Sequence, residues 1–193
     1  MKVACIESGP KNREKTKTFL KELCELAVNE GADAAGEISC QALPFADQDE
    51  KPSEVLPEKR SRHWPEPVYP KDDLKLALQK FRHAVIFRVE SGKGGGDPGR
   101  CEALLKVYTI ASKLESAGFY GGYHLALGLA AGSCREVFCG KEEKCQALKN
   151  GSPCRHPLRA RVSMEACGLD VREIAARAGW TGEGFLVGMV FVD

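Results

Sequence analysis

One short segment, residues 131–168, constrains this chain more than any other, because it holds four clustered cysteines and little apolar material. It reads AGSCREVFCGKEEKCQALKNGSPCRHPLRARVSMEACG. Ordering such a segment costs backbone entropy that its own side chains cannot offset by burial. A bound inorganic centre would offset that cost. We therefore predict an irregular metal-binding loop whose ligands have the spacing C-x4-C-x5-C-x8-C: Cys134, Cys139, Cys145 and Cys154.

The spacing of these cysteines bears on which metal they bind. Sites built from cysteine sulfur hold zinc or an iron–sulfur cluster. Structural zinc sites usually pair their cysteines at C-x2-4-C, and only the first gap here fits that habit. The longer, irregular gaps suit a bulkier cluster whose corners need ligands farther apart. The sequence therefore favours an iron–sulfur cluster, of the 4Fe–4S type, with zinc as the alternative.

Basic residues accompany the last cysteine of the segment. Arg155 follows Cys154 directly, and His156, Arg159 and Arg161 come next. Positive charge favours the thiolate form of cysteine and would hold an anionic cofactor. We therefore predict Arg155 and Arg159 as cofactor-binding residues, with a solvated basic loop as the alternative.

Composition and charge limit the class of protein. The formal net charge of +1 gives no general affinity for nucleic acid or for a membrane surface. No apolar run approaches the length that spans a bilayer, and the first residues lack the apolar core of a signal peptide. A cytoplasmic location is therefore expected.

The cysteine count agrees with that location. Nine cysteines in one chain are many, and in a reducing compartment clustered cysteines are more often metal-binding or catalytic than disulfide-bonded. Five of them lie outside the cluster, and most of these are expected to be small buried apolar side chains. They are Cys5, Cys24, Cys40, Cys101 and Cys167.

Apolar periodicity predicts a single α/β domain over residues 1–193, with helices packed on a mostly buried sheet. Its predicted helices span residues 12–29, 71–81, 101–116, 163–167 and 170–178. Its predicted strands span residues 2–7, 37–43, 83–90, 119–131 and 185–192, with a helix as the alternative over residues 119–131. The continuous apolar runs at 84–87 and 185–192 are typical of strands covered on both faces.

Two further segments are predicted as irregular. Residues 46–70 are rich in proline and charge, so we expect an excursion from the core, with His63 solvated and Trp64 packed on the body. The glycine-rich residues 91–99 lie between a strand and a helix, as phosphate-binding loops do. No Ser or Thr follows Lys93, so a surface loop is favoured over an enzyme's phosphate or nucleotide cradle.

The cysteine segment resembles the signature of an uncharacterised prokaryotic family of predicted metal-binding proteins, domain-of-unknown-function family 2284. Its G-x-C element corresponds to Gly132–Cys134 and its P-C-R-x-P element to Pro153–Pro157. Its A-R-x-S-M-E-x-x-G-[IL]-D-V element corresponds to Ala160–Val171, with Val162 where the family usually has proline. The resemblance extends over most of residues 70–193.

The resemblance implies binding of an iron–sulfur centre through the four clustered cysteines, without a settled reaction. Electron transfer, redox sensing or an accessory role would fit, with a redox protein or a small anionic ligand as partner. Family members usually carry further cysteines ending in C-P-P, and residues 62–67 here contain none. A further ligand such as Cys40 or His63 therefore stays open. No catalytic motif is present, so no catalytic residue is predicted.

Overall fold

A four-stranded antiparallel sheet lies at the centre of the computed structural model, which describes residues 10–46, 76–92, 98–139, 145–147 and 152–193. Its strands in chain order are β1 (Ala34–Ser39), β2 (His83–Glu90), β3 (Leu127–Leu129) and β4 (Phe185–Val192). They are arranged β1-β2-β4-β3, and every neighbouring pair is antiparallel. The predicted strand at 2–7 and all but the first residue of the excursion at 46–70 lie outside the described residues.

Helices cover both faces of the sheet, which confirms the α/β class. The described helices are α1 (Pro10–Asn29), α2 (Pro98–Tyr120), α3 (Cys134–Phe138) and α4 (Val171–Arg177). Two 3-10 turns lie at Cys40–Ala42 and Glu165–Cys167. In the described part of the chain, no helix is both long and apolar enough to cross a membrane.

The two central strands are buried on both faces, as their apolar runs predict. Side chains alternate along a strand, so Val85 and Phe87 point to one face while Ala84 and Ile86 point to the other. On the first face, α1 and α2 complete the core with apolar residues at helical spacing: Leu20, Leu23, Ala27, Leu104, Tyr108, Ala111 and Leu114.

The second face is covered by shorter elements of the chain. The 3-10 turns, the residues beside them and α4 cover this face, with a contribution from the helical residues 76–78. The buried side chains of this face include Cys40, Leu43, Leu78, Met164, Cys167, Leu169 and Ile174. The cysteine segment therefore contributes to the second core before α4 begins.

Helix ends follow the local chemistry of the sequence. Asp170 accepts a hydrogen bond from the N–H of Glu173 at 3.0 Å and so caps α4, as predicted. Gly31 follows the end of α1 with a φ of +102°, a conformation that favours glycine.

Several predicted boundaries are wrong, and the helix predicted at 163–167 is a 3-10 turn over Glu165–Cys167. β1 ends at Ser39 rather than at residue 43, because Cys40 begins a 3-10 turn. α2 continues to Tyr120, and Gly122 follows it with a φ of +95°. The strand predicted at 119–131 is therefore reduced to the three residues of β3.

Replacing Gly188 with alanine should destabilise the fold by about 1–3 kcal/mol, because a close-packed core does not accept an added methyl group. Gly188 lies opposite Phe87 in the sheet, and a Cβ there would come within 2.4 Å of the Phe87 ring. Gly36 in β1 is the matched control, since a Cβ at that position meets no atom within 4 Å. Urea unfolding of both variants measures the difference, and equal stabilities would contradict this packing.

Candidate metal centre

The cysteine segment leaves the sheet at β3 and returns to the same point. Ala130 forms a parallel bridge with Ser163. The N–H of Ala130 donates to the carbonyl of Val162, and the N–H of Met164 donates to the carbonyl of Ala130, both at 2.9 Å. The two ends of the segment are therefore fixed beside each other at the edge of the sheet, and all four predicted ligands lie between them.

The first two cysteines lie at opposite ends of α3. Cys134 is its first residue, and the N–H of Cys139 donates to the carbonyl of Arg135 at 3.1 Å. The Ser133 hydroxyl caps this turn by accepting from the N–H of Arg135 at 3.3 Å. Cys134 is only 1% exposed and Cys139 9%, so both sulfurs are removed from bulk water.

The neighbourhoods of the other two cysteines are joined by Gln146. Its side-chain amide donates to the carbonyl of Pro153 and accepts from Nε of Arg155 at 3.0 Å. Cys145, the residue before Gln146, is 7% exposed. The backbone of residues 153–155 is thus tied to the residue that follows Cys145.

Cys154 is half-buried, and its sulfur accepts a hydrogen bond from the protein backbone. The donor is the N–H of His156, at an N···S distance of 3.3 Å. Such a donor stabilises negative charge on sulfur, as hydrogen bonds to thiolate ligands do in metal sites.

An aromatic side chain, Phe138, connects the two halves of the segment. Its ring meets that of Tyr108 on α2 edge-on, with centroids 5.4 Å apart, and that of His156 at the same distance. The guanidinium of Arg159 lies over the Phe138 ring, 4.7 Å from its centroid. Phe138 precedes Cys139, and His156 lies two residues after Cys154, so this contact brings the two cysteines' neighbourhoods together.

Tyr108 belongs to the buried cluster that includes Cys134. Its hydroxyl donates to the carbonyl of Gly132 at 3.4 Å. Burial raises the pKa of this phenol well above its usual range, and the neighbouring Cys134 adds to the effect. Tyr108 is therefore a neutral hydrogen-bond donor that fixes the carbonyl of Gly132, two residues before α3 begins.

The ligand set itself remains a prediction. Across the described residues, no three His, Cys, Asp or Glu side chains form a group that could hold a metal ion. Residues 140–144 and 148–151 of the same segment lie outside the described part. The donor chemistry fits a thiolate-bound centre, since three of the four sulfurs are buried and the fourth accepts a backbone hydrogen bond.

A family model for predicted metal-binding proteins (DUF2284) matches residues 63–186, which is more than half of the chain. The chain belongs to the DUF2284 family. No curated protein and no solved structure matches it significantly. Family membership supports a metal cofactor in this cysteine-rich chain without identifying the metal.

The remaining cysteines of this DUF2284 chain differ in their surroundings. Burial raises the pKa of the Cys40 and Cys167 thiols to about 12, so both stay protonated at neutral pH. Cys40 lies in the second core and Cys134 in the first, on opposite faces of the sheet. Cys24 is half-buried, whereas Cys101 is exposed and does not fit the expectation of buried side chains. Cys5 lies outside the described residues.

Two other predictions fall partly or wholly on residues that the structure does not describe. His63 and Trp64 are among them, as are residues 93–97 of the glycine-rich loop. The predicted helix after this loop is confirmed, and it begins at Pro98 rather than at Cys101.

Sequence reasoning missed a charged contact that fixes the segment to α2. Glu115 Oε2 accepts from Nε of Arg161 at 2.9 Å and from the N–H of Gly128 in β3 at 2.6 Å. Glu115 continues the apolar stripe of Tyr108 and Ala111 along α2. A carboxylate at a position that the periodicity assigns to the buried face of a helix indicates a buried polar contact, and this is how Glu115 could have been found.

Proposed function

We propose that this chain binds an iron–sulfur cluster of the 4Fe–4S type, in an electron-transfer, redox-sensing or accessory role. The proposed ligands are Cys134, Cys139, Cys145 and Cys154. The contact between Phe138 and His156 carries the proposal, since it joins the neighbourhoods of Cys139 and Cys154, which are 15 residues apart in the sequence. Membership of a predicted metal-binding family supports it.

The surrounding residues have separate roles in this proposal. Burial of Cys134, Cys139 and Cys145 would exclude water from the sulfurs that bind the cluster. The backbone N–H of His156 would stabilise the Cys154 thiolate. Arg155 and Arg159 would offset the negative charge of a thiolate-bound cluster and raise its reduction potential. When bound, such a cluster supplies one-electron chemistry.

Visible absorption of anaerobically purified protein tests this function. We expect brown protein with a charge-transfer band at ~400 nm, the mark of cysteine-ligated iron, that bleaches on reduction with dithionite. Colourless protein carrying stoichiometric zinc would reject the cluster. It would support the alternative of a structural zinc module that binds a partner protein.

A further inference from the structure

The turn after Cys154 has a fixed backbone. The N–H groups of Arg159 and Ala160 both donate to the carbonyl of His156, at 3.1 and 2.8 Å. The hydroxyl of Ser112 on α2 donates to the carbonyl of Leu158 at 3.5 Å. The turn is therefore bonded both within itself and to the long helix beneath it.

This anchored turn presents an apolar side chain to solvent. Leu158 is 83% exposed, although its carbonyl is bonded to α2. Because the backbone here is already ordered, a partner that covers this side chain causes little further loss of conformational entropy. The buried core of a protein–protein interface is more apolar than its rim, so such a side chain suits the core of a contact.

Positive charge flanks Leu158 on the same turn. Residues 152–161 include Arg155, Arg159 and Arg161 and contain no Asp or Glu. Arg161 pairs with Glu115, whereas Arg159 lies over the uncharged ring of Phe138. The whole chain carries a formal charge of only +1, so the positive charge of residues 152–161 is a local feature of the surface and not a property of the whole molecule.

We propose that this surface, which we name the basic platform (Arg155, His156, Leu158 and Arg159), docks an acidic segment of a partner protein. Carboxylates of the partner pair with the two guanidinium groups, and an apolar side chain of the partner covers Leu158. The inference rests on the proposed function and extends it, because Arg155 follows a proposed ligand. Docking here brings a redox partner directly to the metal centre.

Other occupants fit the basic platform less well. Attraction to an anionic membrane takes clusters of about 4–8 basic residues, more than this turn provides. Single-stranded nucleic acid needs a basic groove with aromatic side chains on which bases stack. Here the aromatic ring of Phe138 is already covered by Arg159.

Fluorescence anisotropy with a labelled acidic peptide, EEDLEELDE, tests this proposal on the full-length, metal-loaded protein. We expect reversible binding at low salt that weakens as salt is raised through about 0.1 M. The double change Arg155→Glu/Arg159→Glu should weaken binding at least about tenfold, because it reverses both charges that pair with the peptide. Leu158→Ser should weaken it about threefold or more, because apolar surface is no longer buried in the contact. The control is the double change Lys21→Glu/Arg172→Glu, with one substitution on α1 and one on α4. It changes the net charge of the protein by the same amount, and we expect a much smaller effect on peptide binding.

Equal loss of peptide binding in the platform variants and the control pair would overturn the proposal. So would no peptide binding by the parent protein, or binding only to phosphatidylserine vesicles, to poly(U) RNA or to a second copy of the chain. Metal content is measured for every variant. Failure of the proposed function shows as metal-free or zinc-loaded parent protein, whereas failure of docking shows as protein that carries the cluster and ignores the peptide.

Discussion

Serine in place of Cys134, Cys139, Cys145 or Cys154 should reduce bound metal more than about tenfold. Loss of a residue that only hydrogen-bonds to a metal ligand already lowers metal affinity or activity by about 10–100-fold, and loss of the ligand itself should cost more. Serine has nearly the same shape as cysteine, but its hydroxyl is a poor ligand for a soft metal centre. Backbone pairing between strands and backbone hydrogen bonds within the helices hold the sheet, α1 and α2. We therefore expect far-UV circular dichroism to be retained while metal is lost.

Cys101→Ser is the matched control for this series. Cys101 is exposed on α2 and lies outside the cysteine segment, so its replacement should leave metal content unchanged. Metal retained in all four segment variants, or lost equally in Cys101→Ser, would show that the ligands lie elsewhere.

Removal of the Glu115 carboxylate should destabilise the fold by about 2–3 kcal/mol. In Glu115→Ala, the guanidinium of Arg161 and the N–H of Gly128 lose a shared acceptor. The side chains of Arg161 and Glu115 are only 14% and 27% exposed, so water replaces the lost partner poorly. Breaking a fully buried pair costs about 3–5 kcal/mol, and partial exposure lowers that figure here.

Glu102→Ala on the same helix provides the control for Glu115. Glu102 pairs with Lys106 one turn away at 3.3 Å, and its side chain is 69% exposed. Exposed pairs of this kind contribute about 0.3–0.5 kcal/mol. Urea denaturation of the two variants compares them, and similar midpoints would mean that Glu115 does not hold the segment to α2.

The elements that could be predicted from the sequence are those with local causes. β2 and β4 have the predicted bounds because each follows a nearly continuous apolar run, which Gly188 in β4 does not interrupt. The cap at Asp170 is a contact over three residues, and the sequence shows it directly. The order β1-β2-β4-β3 depends on pairing between distant strands, for which the chain carries no local signal.

The candidate site divides in the same way. The cysteines are clustered in the sequence, so their chemistry can be recognised from spacing alone. The groups that support them come from elsewhere: Tyr108 lies on α2, and Glu115 and Arg161 are 46 residues apart. Such contacts follow from the packing of α2 on the sheet. Periodicity predicts which face of α2 is buried, but not which segments of the chain pack against that face.

Iron and acid-labile sulfide, counted per chain on anaerobically purified protein, decide whether the four cysteines hold a cluster. A cluster of the proposed type requires iron and sulfide in equal amounts, about four of each per chain. Both should disappear together in the variants of Cys134, Cys139, Cys145 and Cys154. One zinc ion per chain without sulfide, or a metal-free protein in which residues 131–162 stay protected from hydrogen exchange, would contradict it.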